Sequence, residues 1–391
     1  MEFRLNKVTY GDEEVNEVLD SLRSGNVTMG SKCKAFETAF ATYQNSRHAV
    51  FVNSGSSANL LTWFALTGNS PTSSWRSFES QFEVIVPAVS WSTTIWPIVQ
   101  SGGIPVLVDC DPDSLAIRPD AIESAITEST SAVCVVHPLG NMCDMERIGN
   151  ICQSNDLILL EDSCETLGST YRGNMSGTFG LASTFSFYFS HHMTTIEGGM
   201  IVTSNDEMAS RLLVMRSHGW SRGTRDATET PFDERYLFVS TGFNLRPTEI
   251  NGAFGLHQLK KLTSFNDARK HLAEQLTLEI SDIIAAGHLR PMRPTKDVDA
   301  VLFGFSVLCS NTDVRDAFAM YLESRGVEVR PIICGNMARQ PAMANVTHRI
   351  GGSLSGADEI MACGLYWGLH PGSTDEEIEQ LGAIIREFDW W

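Results

Sequence analysis

From residue 35 to residue 259 the chain has no lysine; its seven lysines are Lys7, Lys32, Lys34, Lys260, Lys261, Lys270 and Lys296. That stretch offers no primary-amine side chain for Schiff-base chemistry. The nine cysteines are scattered, with no C-x-C or C-x-x-C pair. They read as reduced thiols in cores, and no metal site is expected. No window approaches ~18 continuous apolar residues, so no membrane-spanning helix is expected. The start, Met1 to Asn6, lacks the basic-then-apolar layout of a signal peptide, and the expected location is the cytoplasm. Basic residues are also few: 29 Lys and Arg stand against 47 Asp and Glu, a net charge of −18. A chain this acidic is a poor partner for nucleic acid or an anionic membrane.

What is present is a globular composition, 42% hydrophobic and 19% charged over 391 residues. That length suits two domains. Short apolar runs at 49–52, 83–86, 105–108, 132–136 and 157–160 read as strands. Helix-compatible stretches at 11–22, 34–43 and 58–66 lie before and between them. This alternation predicts an α/β fold with a largely parallel sheet covered on both faces. Residues 249–261 and 266–284 read as two helices, and 287–295 as a linker. Strand 302–309, helix 313–325 and strand 327–333 follow. The expected division is a large domain, 1–260, and a smaller C-terminal α+β domain, 261–391.

Four motifs carry chemistry. In Asn53-Ser54-Gly55-Ser56-Ser57-Ala58-Asn59 a strand runs into a glycine-serine turn and a helix begins. Free amides, hydroxyls and the helix dipole converge there, which suits a phosphate; the plainer reading is a helix cap. In Leu157 to Glu165 an apolar strand ends in acids, where α/β sheets place ligands. Asp162 there would hold a heterocyclic cation, or cap a helix. Trp91 follows a strand in the same way, as a stacking platform or a core residue. Finally, Phe185 to Gly199 reads F-S-F-Y-F-S-H-H-M-T-T-I-E-G-G. Adjacent histidines rarely share a metal, and H-E-x-x-H spacing is absent. Either both are structural, or one is a general base.

Together with His137-Pro138-Leu139-Gly140, Glu197-Gly198-Gly199 and Gly242-Phe243-Asn244-Leu245-Arg246, these segments resemble one family over nearly the whole chain. It is the DegT/DnrJ/StrS family of fold-type I, pyridoxal-phosphate-dependent sugar aminotransferases. The resemblance implies an aspartate aminotransferase-like fold, with a large cofactor-binding domain and a smaller C-terminal one. It places His191 where the family has its Schiff-base lysine. Imidazole forms no stable Schiff base, so a conventional transaminase is disfavoured. The segment Ser190 to Gly199 resembles the branch with this replacement, the nucleotide-sugar 3-dehydratases. One subgroup of that branch carries an iron–sulfur cluster with a C-x-C pair among its ligands. This chain lacks such a pair and is more similar to the metal-free, GDP-sugar subgroup. Residues 69–82 are longer and more polar than the resemblance leads one to expect.

The resemblance implies removal of the 3-hydroxyl from a nucleotide-linked 4-keto-6-deoxyhexose, GDP-4-keto-6-deoxy-D-mannose being the expected substrate. Pyridoxamine 5'-phosphate is held non-covalently and His191 moves the protons. Ammonia is released, and L-glutamate regenerates the cofactor from pyridoxal 5'-phosphate. Asp162 faces the pyridine nitrogen, Trp91 stacks on the ring and Glu165 reaches the ring hydroxyl. Gly55, Ser56 and Ser186 hold the phosphate, with Asn244 arriving from the second subunit of a homodimer. His218 contacts the sugar, and Arg222, Arg330 and Arg339 are candidates for the donor carboxylate or the diphosphate. The setting implied is deoxysugar synthesis for O-antigen and lipopolysaccharide. The alternatives are a nucleotide-sugar aminotransferase working without its lysine, an iron–sulfur CDP-sugar enzyme, and a non-catalytic protein on the same scaffold.

Overall fold

The computed structural model describes residues 2–67, 78, 81–221, 233 and 236–390. The helices are α1 (Asp12–Ser24), α2 (Ser31–Tyr43), α3 (Gly55–Thr67), α4 (Ser92–Gln100), α5 (Pro119–Ala125), α6 (Met145–Ser154), α7 (Asp206–Arg216), α8 (Glu249–Glu279), α9 (Ser281–Ala285), α10 (Thr312–Ser324), α11 (Ser355–Cys363) and α12 (Asp375–Arg386). The strands up to residue 203 are β1 (His48–Val52), β2 (Glu83–Pro87), β3 (Ile104–Val108), β4 (Thr130–Val136), β5 (Ile158–Asp162), β6 (Thr170–Tyr171), β7 (Asn174–Met175), β8 (Ala182–Ser186) and β9 (Gly199–Thr203). Beyond them come β10 (Leu289–Pro291), β11 (Val298–Asp299), β12 (Gly304–Cys309), β13 (Val329–Arg330), β14 (Arg349–Ile350) and β15 (Gly364–Gly368).

The central sheet runs β1-β9-β8-β5-β4-β2-β3-β14. It is parallel from β8 to β14, and β9 runs antiparallel to both of its neighbours. The strands β2 and β4 are buried along nearly their full length, as expected of a sheet with helices on both faces. The chain leaves β2 toward β3 and returns to the other side of β2 for β4. Loops at the carboxyl ends of β2, β4, β5 and β8 therefore meet in one crevice, the usual ligand position in such sheets.

The second sheet, β10-β12-β15-β13, is antiparallel. It packs with α10, α12 and the far end of α8 into a separate apolar cluster that includes Phe305, Phe318 and Trp367. The expected break near residues 262–265 is absent: α8 is one helix from Glu249 to Glu279. The Leu-Thr-Ser-Phe run there lowers helix propensity only modestly, and Ser264 Oγ bonds back to the Lys261 carbonyl within the turn, at 2.7 Å. The division expected at residue 260 thus falls inside a helix. Leu262 of α8 packs with the large sheet and Leu276 with the small one. Two short exchanges tie the lobes: Phe3 joins the small lobe through Gly326 and Glu328, and β14 extends the central sheet. Part of the expected linker is β10, paired with β12.

Candidate active site

The crevice is a cavity of about 370 Å³. Of the expected site residues, Gly55, Ser56, Trp91, Asp162, Glu165, Ser186 and His191 all line it. No lysine does, among the described residues.

Alternation sets the first wall. In Phe185-Ser186-Phe187 the two rings point one way, into a fully buried cluster with Phe36, Phe40 and Phe51. Ser186 must then face the other way, into the cavity. Opposite it, α3 begins at Gly55, where Ser54 Oγ accepts from Ser57 N at 3.1 Å. A Cβ on Gly55 would stand 2.7 Å from the Ser186 Cβ, so this corner is open only because residue 55 is glycine. Free first-turn amides, with the hydroxyls of Ser56 and Ser186, fit a phosphate dianion.

Asp162 ends β5 and is 5% exposed. Its Oδ2 accepts from Asn59 Nδ2 at 2.9 Å and from Thr94 Oγ1 at 2.8 Å, and its Oδ1 from the Cys164 amide at 3.2 Å. Thr184 Oγ1 in turn donates to Asn59 Oδ1 at 2.6 Å. The carboxylate is fixed yet keeps acceptor capacity toward the cavity, the requirement for pairing with a protonated ring nitrogen. Trp91 caps α4 and is 54% exposed. An indole that faces a cavity rather than a core suits a flat ring. Glu165 accepts from the Leu139 amide at 2.9 Å. Burial, opposed by that amide and aided by the Asp162 charge, pushes its carboxyl up to about 7.

The two histidines separate cleanly. His191 Nδ1 lies 2.8 Å from the Cys164 carbonyl. A carbonyl only accepts, so Nδ1 carries the proton and Nε2 is the bare nitrogen. Burial pulls the imidazole down to about 4, with the Cys164 contact and Asp162 opposing and Arg269 assisting. It is a neutral proton acceptor at physiological pH. His192 is 1% exposed and spends its Nε2 on the Val301 carbonyl at 3.0 Å. It is structural.

Other expected site residues lie elsewhere. Arg339 is held by Asp358 through two bonds, at 2.9 and 2.8 Å. Arg330 pairs with Glu328 and the Val329 carbonyl. Neither lines the cavity: local carboxylates already take both guanidinium groups, which sequence alone does not reveal. His218 and Asn244 meet Arg246 on a separate surface ledge, with Arg246 donating to Asn244 Oδ1 at 3.0 Å and lying 3.4 Å from His218 Nε2. The structure does not bring these two to the cavity within one chain. Arg222 lies outside the described residues, as does most of 69–82.

Sequence reasoning missed Asn59, Thr94, Phe303 and Tyr366. Asn59 was within reach: it follows Gly55 by one helical turn and so shares its face. Phe303 and Tyr366 come from the small lobe, and the Phe303 ring meets that of His191 edge to face, with the ring centroids 5.1 Å apart. No local pattern marks them.

Known proteins share this fold. A dehydratase of Yersinia pseudotuberculosis, GDP-4-keto-6-deoxy-D-mannose 3-dehydratase, is 36% identical over 98% of both chains. The dTDP-4-dehydro-2,6-dideoxy-D-glucose 3-dehydratase of Saccharopolyspora spinosa is also 36% identical, over 93% of this chain and 81% of its own. A crystal structure of GDP-4-keto-6-deoxymannose-3-dehydratase with a trapped PLP-glutamate geminal diamine matches at 35% identity and a TM-score of 0.91, over 98% of this chain and 100% of that one. The family model for DegT/DnrJ/EryC1/StrS aminotransferases matches residues 8–386. The chain belongs to the DegT/DnrJ/EryC1/StrS aminotransferase family.

Proposed function

We propose that the protein is a lyase that removes the 3-hydroxyl of a nucleotide-linked 4-keto-6-deoxyhexose, with pyridoxal and pyridoxamine 5'-phosphate as cofactor forms and L-glutamate as amino donor. The observation that carries this reading is His191. A neutral imidazole with its open nitrogen in the cavity stands where a transaminase needs a primary amine. When bound, the cofactor supplies the amine that engages the C4 ketone and a protonated ring that draws electrons.

The protein's part is to hold and to move protons. Asp162 keeps the ring nitrogen protonated, Trp91 stacks on the ring, and Gly55, Ser56 and Ser186 bind the phosphate. His191 Nε2 takes a proton and returns it to the departing 3-oxygen, the work of one group poised between two atoms. The sum balances: each sugar loses one oxygen, and one glutamate becomes one 2-oxoglutarate and one ammonia. The two electrons that glutamate gives up reduce C3. With no lysine amine to displace an amino sugar from the cofactor, the nitrogen would leave by hydrolysis, as ammonia rather than as an amino sugar.

GDP is the proposed nucleotide, because the GDP-sugar relative covers both chains more fully than the dTDP-sugar relative. We also propose a cytoplasmic homodimer in deoxysugar and lipopolysaccharide synthesis. The ledge with His218 and Asn244 adjoins exposed apolar side chains, Tyr236, Phe238 and Val239. A second copy seated there would bring these residues toward its neighbour's substrate. Sedimentation of the wild type against Phe238→Asp tests this; a dimer lost in the variant is the expected result.

The deciding experiment incubates the protein with pyridoxal phosphate, glutamate and GDP-4-keto-6-deoxymannose. Mass spectrometry follows sugar and ammonia together. Loss of the 3-oxygen with equimolar ammonia is expected. An amino sugar without ammonia overturns the reading.

A further inference from the structure

Arg269 lies on α8 and is 3% exposed. Its Nη1 donates to two carbonyls of the small lobe, Phe303 at 3.0 Å and Leu369 at 2.6 Å. These flank the antiparallel strands β12 and β15 at the same end. Its Nε is buried without a partner, and no carboxylate pairs with it among the described residues. A buried guanidinium with carbonyl partners alone is costly, because no counter-charge offsets its lost hydration. Residues that impose such a cost and lie outside a ligand cavity call for a reason.

Its position supplies one. The Phe303 carbonyl is clamped by Arg269, and the Phe303 amide donates to the Leu139 carbonyl at 3.0 Å. Phe303 is thus pinned on both sides of its backbone. Its ring then meets His191 at 5.1 Å and 67°, His192 at 5.8 Å, and Tyr366 at 6.4 Å. We propose that Arg269 is a positioning residue for His191, acting through the Phe303 backbone it clamps and the Phe303 ring that abuts the imidazole. This rests on the assignment of His191 as the proton-moving group.

The charges around His191 agree. Asp162 from the end of β5 favours its protonated form, and Arg269 from α8 opposes it. Glu165 and Tyr366 also line the cavity, and His192 and Tyr188 flank it on its own loop. Among these Arg269 is the permanent cation. It presses the imidazole toward the neutral, proton-accepting form.

The test uses the full chain with Arg269→Met, Arg269→Lys, Phe303→Leu and the Met/Leu double variant. Thermal melts and cofactor titration report folding. Titration of ¹³C-labelled histidine by NMR, with His191→Asn as the assignment control, reports the imidazole without substrate. In Arg269→Met the His191 titration is expected to move upward. Ammonia release is expected to fall about tenfold in kcat with KM little changed, as for a misplaced catalytic group. Arg269→Lys keeps the charge and so keeps the titration. The double variant should lose no more than the worse single, because both act through one ring. An unmoved titration, or additive losses, overturns the proposal. Should Arg269→Met not fold, Phe303→Leu decides: an unchanged kcat overturns it and a fall supports it. If even the wild type releases no ammonia, the functional reading fails, and the substrate-free titration still decides this one.

Discussion

Two parts of the same sheet edge use a histidine and a carboxylate in opposite ways. Behind the cavity, Glu161 and His137 are fully buried and saturated. Glu161 accepts from the amides of Gly177, Phe179 and Gly180, at 2.9, 2.8 and 2.7 Å, and from His137 Nε2 at 3.0 Å. His137 Nδ1 accepts from the Cys143 amide at 3.2 Å. Nothing is left over. One residue further on, Asp162 faces the cavity with capacity to spare, and His191 uses one nitrogen and leaves the other open. Saturated polar groups hold a fold together. Unsaturated ones at a cavity wall are what chemistry needs. The difference comes from the pleat: adjacent strand residues point to opposite faces, so Glu161 and Asp162 part company within one peptide unit.

The comparison can be broken or sharpened by four measurements. His191→Asn should lower sugar deoxygenation by roughly 10²–10⁴-fold, the usual worth of a general acid–base group, while the melting temperature stays near wild type. Glu161→Gln should do the reverse. It turns one acceptor oxygen of a buried, saturated carboxylate into an NH₂ group that faces N–H donors, and should cost about 1–3 kcal/mol of stability; turnover per folded molecule, measured by active-site titration, should be unchanged. Equal damage to activity in both variants would erase the distinction between the two sites.

Gly55→Ala should weaken pyridoxamine phosphate binding by about tenfold, as expected for a contact pushed out of line by a methyl group. Its Cβ would meet the Ser186 Cβ, in β8, at 2.7 Å. Fluorescence titration through Trp91 reads this directly.

The smallest effect concerns pH. Folded Glu165 keeps its proton up to about pH 7, against an ordinary value of 4.5. The folded state therefore binds more protons in this window, and stability present below 4.5 is lost as pH rises through 7. Glu165→Gln has nothing to titrate. It should melt about 1 °C above wild type at pH 8, the equivalent of ~1 kcal/mol in a chain this long, and level with it at pH 4.5. His191 has the other sign. Its folded value, about 4, lies below the ordinary 6.5. The unfolded chain then binds more protons, and this contribution to stability is lost as pH falls from 6.5 to 4.

Much of this was legible in the sequence because strand ends announce themselves. Asp162 and Trp91 each follow an apolar run, the glycine-serine turn marks the start of α3, and Ser186 came only with the family resemblance. The family resemblance singled out His191, with the lysine gap beside it, and the structure separates it from His192 by the carbonyl each ring meets, Cys164 and Val301. What sequence could not supply was pairing at a distance. Phe303 and Tyr366 arrive from another sheet, Arg339 is claimed by Asp358, and α8 runs on through 262–265, between the two helices the sequence suggested. Phe303, Tyr366 and Arg339 each depend on a neighbour more than a dozen residues away.

Cys164 borders the corner made by Gly55 and Ser186, its sulfur 3.3 Å from where a Gly55 Cβ would sit. A sulfur nucleophile beside a reactive aldehyde would ordinarily trap it as a thiohemiacetal and poison turnover. Here burial and the neighbouring Asp162 charge raise the thiol far above its usual range, so almost no thiolate exists at neutral pH. The cavity thus tolerates a thiol in its wall by keeping it chemically silent, and the same property should make the protein resistant to alkylating reagents at that position.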